Sequence, residues 1–191
     1  MKLRLLVPVA LVASLSVIGL AGCQAATPTT APPVSQTSGA GTSAGAVLPV
    51  NSNPIVNTST VPGLTIVSAA AENNLDPVSK AAIKDRLQVE VHNASKSTLT
   101  SFEIYYVMTD ATTGQSEAYY QALTGFTLAA GATSTLSFDS ESGVGHFPEN
   151  AFSIYRSSKN QVDFTIEVSA AGVQVAKATA TKGSGAGDAT D

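Results

Sequence analysis

Several residue types on which common functions depend are rare or absent in this sequence. Its 191 residues include no tryptophan, one cysteine and two histidines, and only 13% of them are charged. A single cysteine excludes an internal disulfide. A zinc site takes three or four His, Cys or carboxylate ligands, so two histidines and one thiol make such a site a weak expectation. We therefore predict no metal and no cofactor.

Basic residues are also scarce. The chain has ten Lys and Arg against fourteen Asp and Glu, for a formal net charge of −4. They form no cluster, whereas nucleic-acid binding needs grouped contacts to phosphates. A serine nucleophile would need a histidine and an acid, often with a G-x-S-x-G turn, and no such motif is present. The sequence predicts no nucleic-acid partner, no catalytic residues and no enzyme activity.

The N-terminus has the pattern of a secretory signal. Lys2 and Arg4 give it a short positive start, and residues 5–20 then carry no charge. Such a run is short for a stable membrane span but suits a signal peptide. The mature chain without this segment would be more acidic, because both basic residues would be lost with it.

The uncharged run ends in Leu20, Ala21, Gly22 and Cys23. This string resembles the bacterial lipobox, in which small residues precede an obligatory cysteine. The resemblance implies that residues 1–22 are cleaved off and that the Cys23 thiol carries a diacylglyceryl lipid. Two or three acyl chains would hold the protein firmly on the extracytoplasmic face of the cell membrane. The alternative is an ordinary signal peptide cleaved nearby.

Two further segments are predicted to be disordered. Residues 23–62 contain no charged side chain and are rich in Thr, Pro, Ser, Gly and Ala. Because such a composition buries too little apolar surface to offset ordering entropy, we expect an extended tether with a reach of about 35 Å. The polar, Gly-rich residues 183–191 should form a disordered tail. The folded domain is then expected at residues 63–182.

Within that domain, apolar and polar residues alternate with the period of β-strands. The clearest strings are "LQVEVHN" from Leu87, "FEIYYVMT" from Phe102 and "VDFTIEVS" from Val162. The string "DATTGQ" predicts a turn between two hairpin strands, with Gly114 suited to positive φ. About seven short strands separated by polar turns favour an all-β fold, an immunoglobulin-like antiparallel β-sandwich.

The stretch from Val89 to Gly114 adds a second resemblance. It is similar to prokaryotic extracellular immunoglobulin-like domains of the FxLYD type, over about 27 residues that do not include the string FxLYD itself. The residues that carry the resemblance are Val89, Val91, Asn93, Ser95, Leu99, Phe102, Ile104, Tyr106, Asp110 and Gly114. The resemblance implies the same sandwich fold on an extracytoplasmic protein.

Aromatic residues outside the inward rows suggest a surface for contact with another molecule. The candidate contact face consists of Tyr105, Val107, Tyr119, Tyr120 and Phe147. One of the two adjacent tyrosines must point outward if their strand is regular. An exposed tyrosine beside Val107 could form a contact face for protein or glycan. The alternative is that these rings pack beneath the long loop at residues 140–160.

The two histidines are interpreted as incidental. His92 should lie on the outer side of a strand, and His146 in the loop "SGVGHFPEN" beside Phe147, which should pack onto the sandwich. The expected function is therefore that of a membrane-anchored lipoprotein that displays a non-enzymatic interaction module. Its partner would be an envelope protein or glycan, in adhesion or as an accessory to a complex. The alternative is a module that binds a small ligand or metal ion at a loop end of the sandwich.

Overall fold

The structure, a computed structural model, describes residues 47–75, 78, 87–185 and 188–189. The predicted signal, Cys23 and the tether up to residue 46 lie outside these ranges. The strands are β1 Leu64–Ala71, β2 Asn74–Leu75, β3 Leu87–Asn93, β4 Glu103–Asp110, β5 Ser116–Ala122, β6 Thr133–Phe138, β7 His146–Phe147, β8 Val162–Ser169, β9 Ala176–Lys182 and β10 Asp188–Ala189. The one helix in the described ranges, α1, is Ile154–Ser157, and no helix there is long and apolar enough to cross a bilayer.

Two four-stranded sheets make up most of the domain. One has the strand order β1-β3-β6-β7 and the other β5-β4-β8-β9. The pairs of longer strands are antiparallel, whereas the short β7 runs parallel to β6. The two sheets face each other across the core, where the ring centroids of Tyr106 on β4 and Phe138 on β6 are 6.0 Å apart. The predicted all-β class is confirmed.

The core is built from the alternating rows that the sequence predicted. In β3, Leu87, Val89 and Val91 are buried, and the residues between them are partly exposed. The strands β4 and β8 alternate in the same way, and their buried side chains join those of β3 and β6 in one cluster. A period of two places every second side chain on the same face, so each strand contributes one apolar row.

The turn between β4 and β5 follows the prediction from its sequence. The Asp110 amide donates to the Gln115 carbonyl at 2.9 Å, and the Gly114 amide donates to the Asp110 carbonyl at 2.9 Å. Gly114 has a φ of +72°, a backbone conformation that residues with a Cβ atom rarely adopt. Strands β4 and β5 therefore form a hairpin.

The folded region begins earlier than residue 63, the predicted boundary. Residues 47–62, which we call the strap, lie against the β5-β4-β8-β9 sheet and the turn between β8 and β9. The Asn57 amide nitrogen Nδ2, for example, donates to Ser169 Oγ and to the Val173 carbonyl, both at 2.9 Å. Hydrogen bonds of this kind order a chain segment without an apolar row, and composition does not reveal them.

The C-terminal boundary differs as well. Residues 188–189 were predicted to belong to a disordered tail that starts at residue 183. Instead, β10 pairs in parallel with β2, and the Gly185 amide donates to the Lys159 carbonyl at 2.9 Å.

Candidate functional site

The outer face of the β5-β4-β8-β9 sheet, the side turned away from the core, carries three of the five predicted contact residues. Tyr105 and Val107 on β4 and Tyr120 on β5 alternate with buried neighbours and are each partly exposed. Tyr105 lies opposite Tyr120 in the strand register. The Tyr120 hydroxyl donates to Glu103 Oε1 at 2.6 Å. The pKa of Tyr120 is raised to about 12, mainly because burial disfavours the charged form and secondly because of this hydrogen bond to Glu103.

Tyr119 does not belong to the outer face, so its assignment to the contact face was wrong. It is 1% exposed, and its ring stacks on Tyr106 with centroids 5.6 Å apart. Its hydroxyl donates to Glu117 Oε2 at 2.8 Å and accepts from Asn150 Nδ2 at 3.0 Å. Successive residues of a strand point to opposite faces, so the outward position of Tyr120 turns Tyr119 inward.

Phe147 is separate from the three outer residues, because its strand β7 lies in the other sheet. It is half-buried, with its ring stacked on Phe138 at 5.6 Å and edge-on to Phe126 at 6.3 Å. The expectation that Phe147 packs onto the sandwich is confirmed. The five predicted contact residues therefore do not form one surface, and the reduced contact face consists of Tyr105, Val107 and Tyr120.

The strap crosses this reduced contact face. At one end, the Val50 amide donates to the Ala118 carbonyl of β5 at 2.8 Å. Three residues later, Asn53 Nδ2 donates to Glu167 Oε2 of β8 at 2.9 Å. Strand β4 lies between β5 and β8, and Tyr105 is the register partner of Glu167. The chain thus crosses the outer face between Ala118, the register partner of Val107, and Glu167, the register partner of Tyr105. Tyr105, Val107 and Tyr120 remain partly exposed beside it.

A cluster of three side chains with metal-binding atoms lies at the end of β6. Asp139 follows β6, Glu141 lies two residues on, and His146 begins β7. His146 Nδ1 is 3.1 Å from Asp139 Oδ1 and 3.0 Å from Oδ2. One potential ligand atom from each of the three lies within 4.8 Å of the others. The sequence did not predict this cluster, although the two glycines at 143 and 145 indicate a loop able to fold back.

Burial differs sharply across the cluster. The Asp139 side chain is 2% exposed, that of His146 is 31% exposed, and Glu141 lies at the surface. The Glu141 amide also donates to Asp139 Oδ1 at 2.9 Å, which fixes the start of the loop. His146 is thus not an isolated surface residue, because it contacts a buried carboxylate.

Open hollows lie on both sides of the loop at residues 124–126. The one beside His146 has a volume of about 560 Å³. It is lined by Ala122, Thr124, Gly125, Phe126, Gly143, Val144, Gly145, His146, Phe147 and Pro148. The other, of about 570 Å³, is bounded by Ser101, Glu103 and neighbouring residues. The first hollow is lined by one member of the cluster, His146, whereas Asp139 and Glu141 are not among its lining residues.

Comparisons with known proteins give no family for this chain. No family model and no curated protein matches it. Among solved structures it is similar to the ApaA protein of Bordetella pertussis, with 15% identity, 63% of this chain and 90% of that chain covered, and a TM-score of 0.36.

Two further structures give comparable values. The sporulation control protein Spo0M of Bacillus subtilis has 10% identity and a TM-score of 0.35, with 65% of this chain and 50% of that chain covered. The alkylpurine DNA glycosylase AlkC of Pseudomonas fluorescens has 15% identity and a TM-score of 0.32, with 65% and 30% covered. The chain thus spans half of one protein and under a third of the other.

Proposed function

We propose that this protein is a bacterial lipoprotein, anchored by a lipid on Cys23, that displays an immunoglobulin-like β-sandwich on the extracytoplasmic face of the membrane. The observation that carries the proposal is the string Leu20, Ala21, Gly22 and Cys23 at the end of a signal-like uncharged run. The chain has no other cysteine, so the one thiol stands at the position that lipid attachment requires.

The strand order supports the immunoglobulin-like part of the proposal. If the seven longer strands are lettered in chain order A, B, C, C′, E, F and G, the sheets read A-B-E and C′-C-F-G. In immunoglobulin-like sandwiches, A, B and E share one sheet and C, F and G share the other, with C′ added beside C in some members. The short β7 then extends the first sheet at its edge.

The role we propose for the domain is contact with an envelope protein or glycan through the open part of the reduced contact face. Tyrosines at such a face provide apolar area and a hydroxyl for hydrogen bonding. The non-enzymatic part of the proposal rests on the sequence, which places no nucleophile in a known catalytic motif with either histidine.

Fractionation of Cys23→Ala cells tests the anchoring. We expect the wild-type chain to stay with the membranes after a salt wash and the variant to be released, because the lipid has no attachment point. The variant domain should keep its far-ultraviolet circular dichroism, since residue 23 precedes the folded region. A salt-washed Cys23→Ala protein that still sediments with the membranes would contradict the proposal.

Site-specific crosslinking tests the contact role. A photoreactive residue at Val107 on the outer face should give a defined crosslinked product in intact cells. The matched control is Thr133, which is exposed on β6 in the opposite sheet. Equal crosslinking from both positions, or none from Val107, would remove the reduced contact face from the proposal.

A further inference from the structure

The cluster at the end of β6 holds a buried carboxylate with no permanent positive partner. Among the described residues, the only potentially cationic group within 4.0 Å of an Asp139 oxygen is His146, and an imidazole is charged only when protonated. A carboxylate taken out of water is costly unless it is paired with a cation or coordinates a metal. With a neutral imidazole, no cationic side chain of the described residues lies within 4.0 Å of the Asp139 carboxylate, and a divalent cation bound there would balance its charge.

The distances fit coordination as well as they fit a hydrogen bond. Two ligand atoms at about 2.1 Å from a metal ion, on adjacent corners of its coordination sphere, are about 3.0–3.4 Å apart. His146 Nδ1 and Asp139 Oδ2 are 3.0 Å apart. A metal ion could therefore replace the proton between them with little movement of either side chain.

The third ligand and the entry path come from the loop. Glu141 lies at the surface, and one of its carboxylate oxygens is within 4.8 Å of a ligand atom of both Asp139 and His146. The approach of His146 depends on Gly145, which has a φ of +86° and lies where a Cβ atom would be 2.7 Å from the Thr135 carbonyl oxygen. His146 is 31% exposed and Glu141 is exposed, so the cluster is open to solvent at these two side chains.

We propose that Asp139, Glu141 and His146 form a binding site for a first-row divalent cation of the zinc type. One imidazole nitrogen and two carboxylate oxygens are the borderline ligand set that zinc accepts, with water in the remaining position. Calcium prefers six to eight oxygen ligands, and copper(I) prefers sulfur. This site is separate from the reduced contact face and from Cys23, so it stands independently of the proposed function.

The site can be tested by calorimetric titration with zinc chloride. The full chain is purified in detergent and stripped of metal with a chelator before the titration. We expect one zinc ion per chain with a dissociation constant in the low micromolar range or below. His146→Gln should weaken binding about 100-fold or more, and Glu141→Gln about 10-fold or more, because each removes a direct ligand. Calcium chloride should give no comparable binding.

Matched controls are available in the same chain. His92→Gln removes the other histidine and Glu90→Gln a partly exposed glutamate on β3, and both should bind zinc like the wild type. On zinc addition, the imidazole nitrogen resonances of His146 should shift while those of His92 stay in place. Absence of stoichiometric binding, unchanged affinity in Glu141→Gln, or loss of binding in His92→Gln would overturn the proposal.

Discussion

Phe164 is one of the largest side chains in the core, and it lies in the inward row of β8. It is 1% exposed and packs edge-on against Tyr155, with ring centroids 5.2 Å apart. Its neighbour Thr165 points to the opposite face and is exposed. A ring enclosed in this way contributes to stability through buried apolar area and through close contacts that a smaller side chain cannot replace.

Phe164→Ala tests the inward row of β8. The substitution should lower the free energy of unfolding by about 3–5 kcal/mol, because it removes buried apolar area and leaves a cavity. Thr165→Ala is the matched control, and it should change stability by no more than about 0.5 kcal/mol. Urea melts measure both. A loss under about 1 kcal/mol for Phe164→Ala would contradict the buried position.

Alternation of apolar and polar residues predicts most of the core, but it does not decide between Tyr119 and Tyr120. Phe164 stands between polar neighbours, so its row is evident from the sequence. The two tyrosines are adjacent and chemically identical, and only the register of β5 on β4 assigns one to each face.

Asp110 makes the stability of the fold depend on pH in the acid range. Its carboxylate accepts hydrogen bonds from Ser158 Oγ at 2.6 Å, from the Thr113 amide at 2.8 Å and from Asn160 Nδ2 at 3.0 Å. These bonds, that from Ser158 foremost, hold the pKa of Asp110 well below its ordinary value. The contribution to stability is present above the unfolded pKa of about 4 and is lost as the pH falls through the lower folded pKa.

The prediction is that Asp110→Asn flattens this acid dependence. The variant should be less stable than the wild type at neutral pH but should lose less further stability between about pH 5 and pH 2, because it has no carboxylate to protonate. Ser158→Ala should have an intermediate pH dependence. Urea midpoints measured across that range give the comparison, and parallel curves for wild type and Asp110→Asn would refute the assignment.

At the scale of elements, the strap is the part that the sequence did not predict. Secondary structure is predicted from the periodicity of apolar residues, and the residues of the strap form no apolar row. The strap is held instead by amide side chains and by scattered backbone bonds such as that from the Gln174 amide to the Val61 carbonyl at 2.7 Å. By contrast, the long strands β3, β4 and β8 are held by buried apolar rows, and the sequence predicted them from the alternation of those rows.

Asn57→Ala tests how the strap is held. Asn57 Nδ2 lies within hydrogen-bonding distance of Ser169 Oγ and of the Ala170 and Val173 carbonyls, and its Oδ1 accepts from the Ser59 amide at 2.9 Å. We expect a loss of about 1–2 kcal/mol and faster hydrogen exchange across residues 47–62.

The matched control is Thr58→Ala, which alters the exposed neighbouring side chain and should leave both the melt and the exchange unchanged. If the amide hydrogens of the strap exchange at the wild-type rate in the Asn57→Ala protein, these side-chain hydrogen bonds do not hold the strap.

At the scale of the whole molecule, the strap is the route by which the chain enters the sandwich. It ends at residue 62, just before β1, so the chain joins the first sheet only after it has crossed the outer face of the opposite sheet. The sequence predicted the all-β class from its strands, but not the meeting of Asp139 and His146. Those residues are seven positions apart across a loop, and only the backbone path brings them together.

The most direct test of the proposed lipid anchor is the intact mass of the protein purified from membranes in detergent. We expect a chain that begins at Cys23 and carries the added mass of a diacylglyceryl group, with or without a further acyl chain, on that residue. Fragmentation should place the whole addition on Cys23. A chain that begins elsewhere with an unmodified mass, or one that keeps residues 1–22, would contradict the anchor.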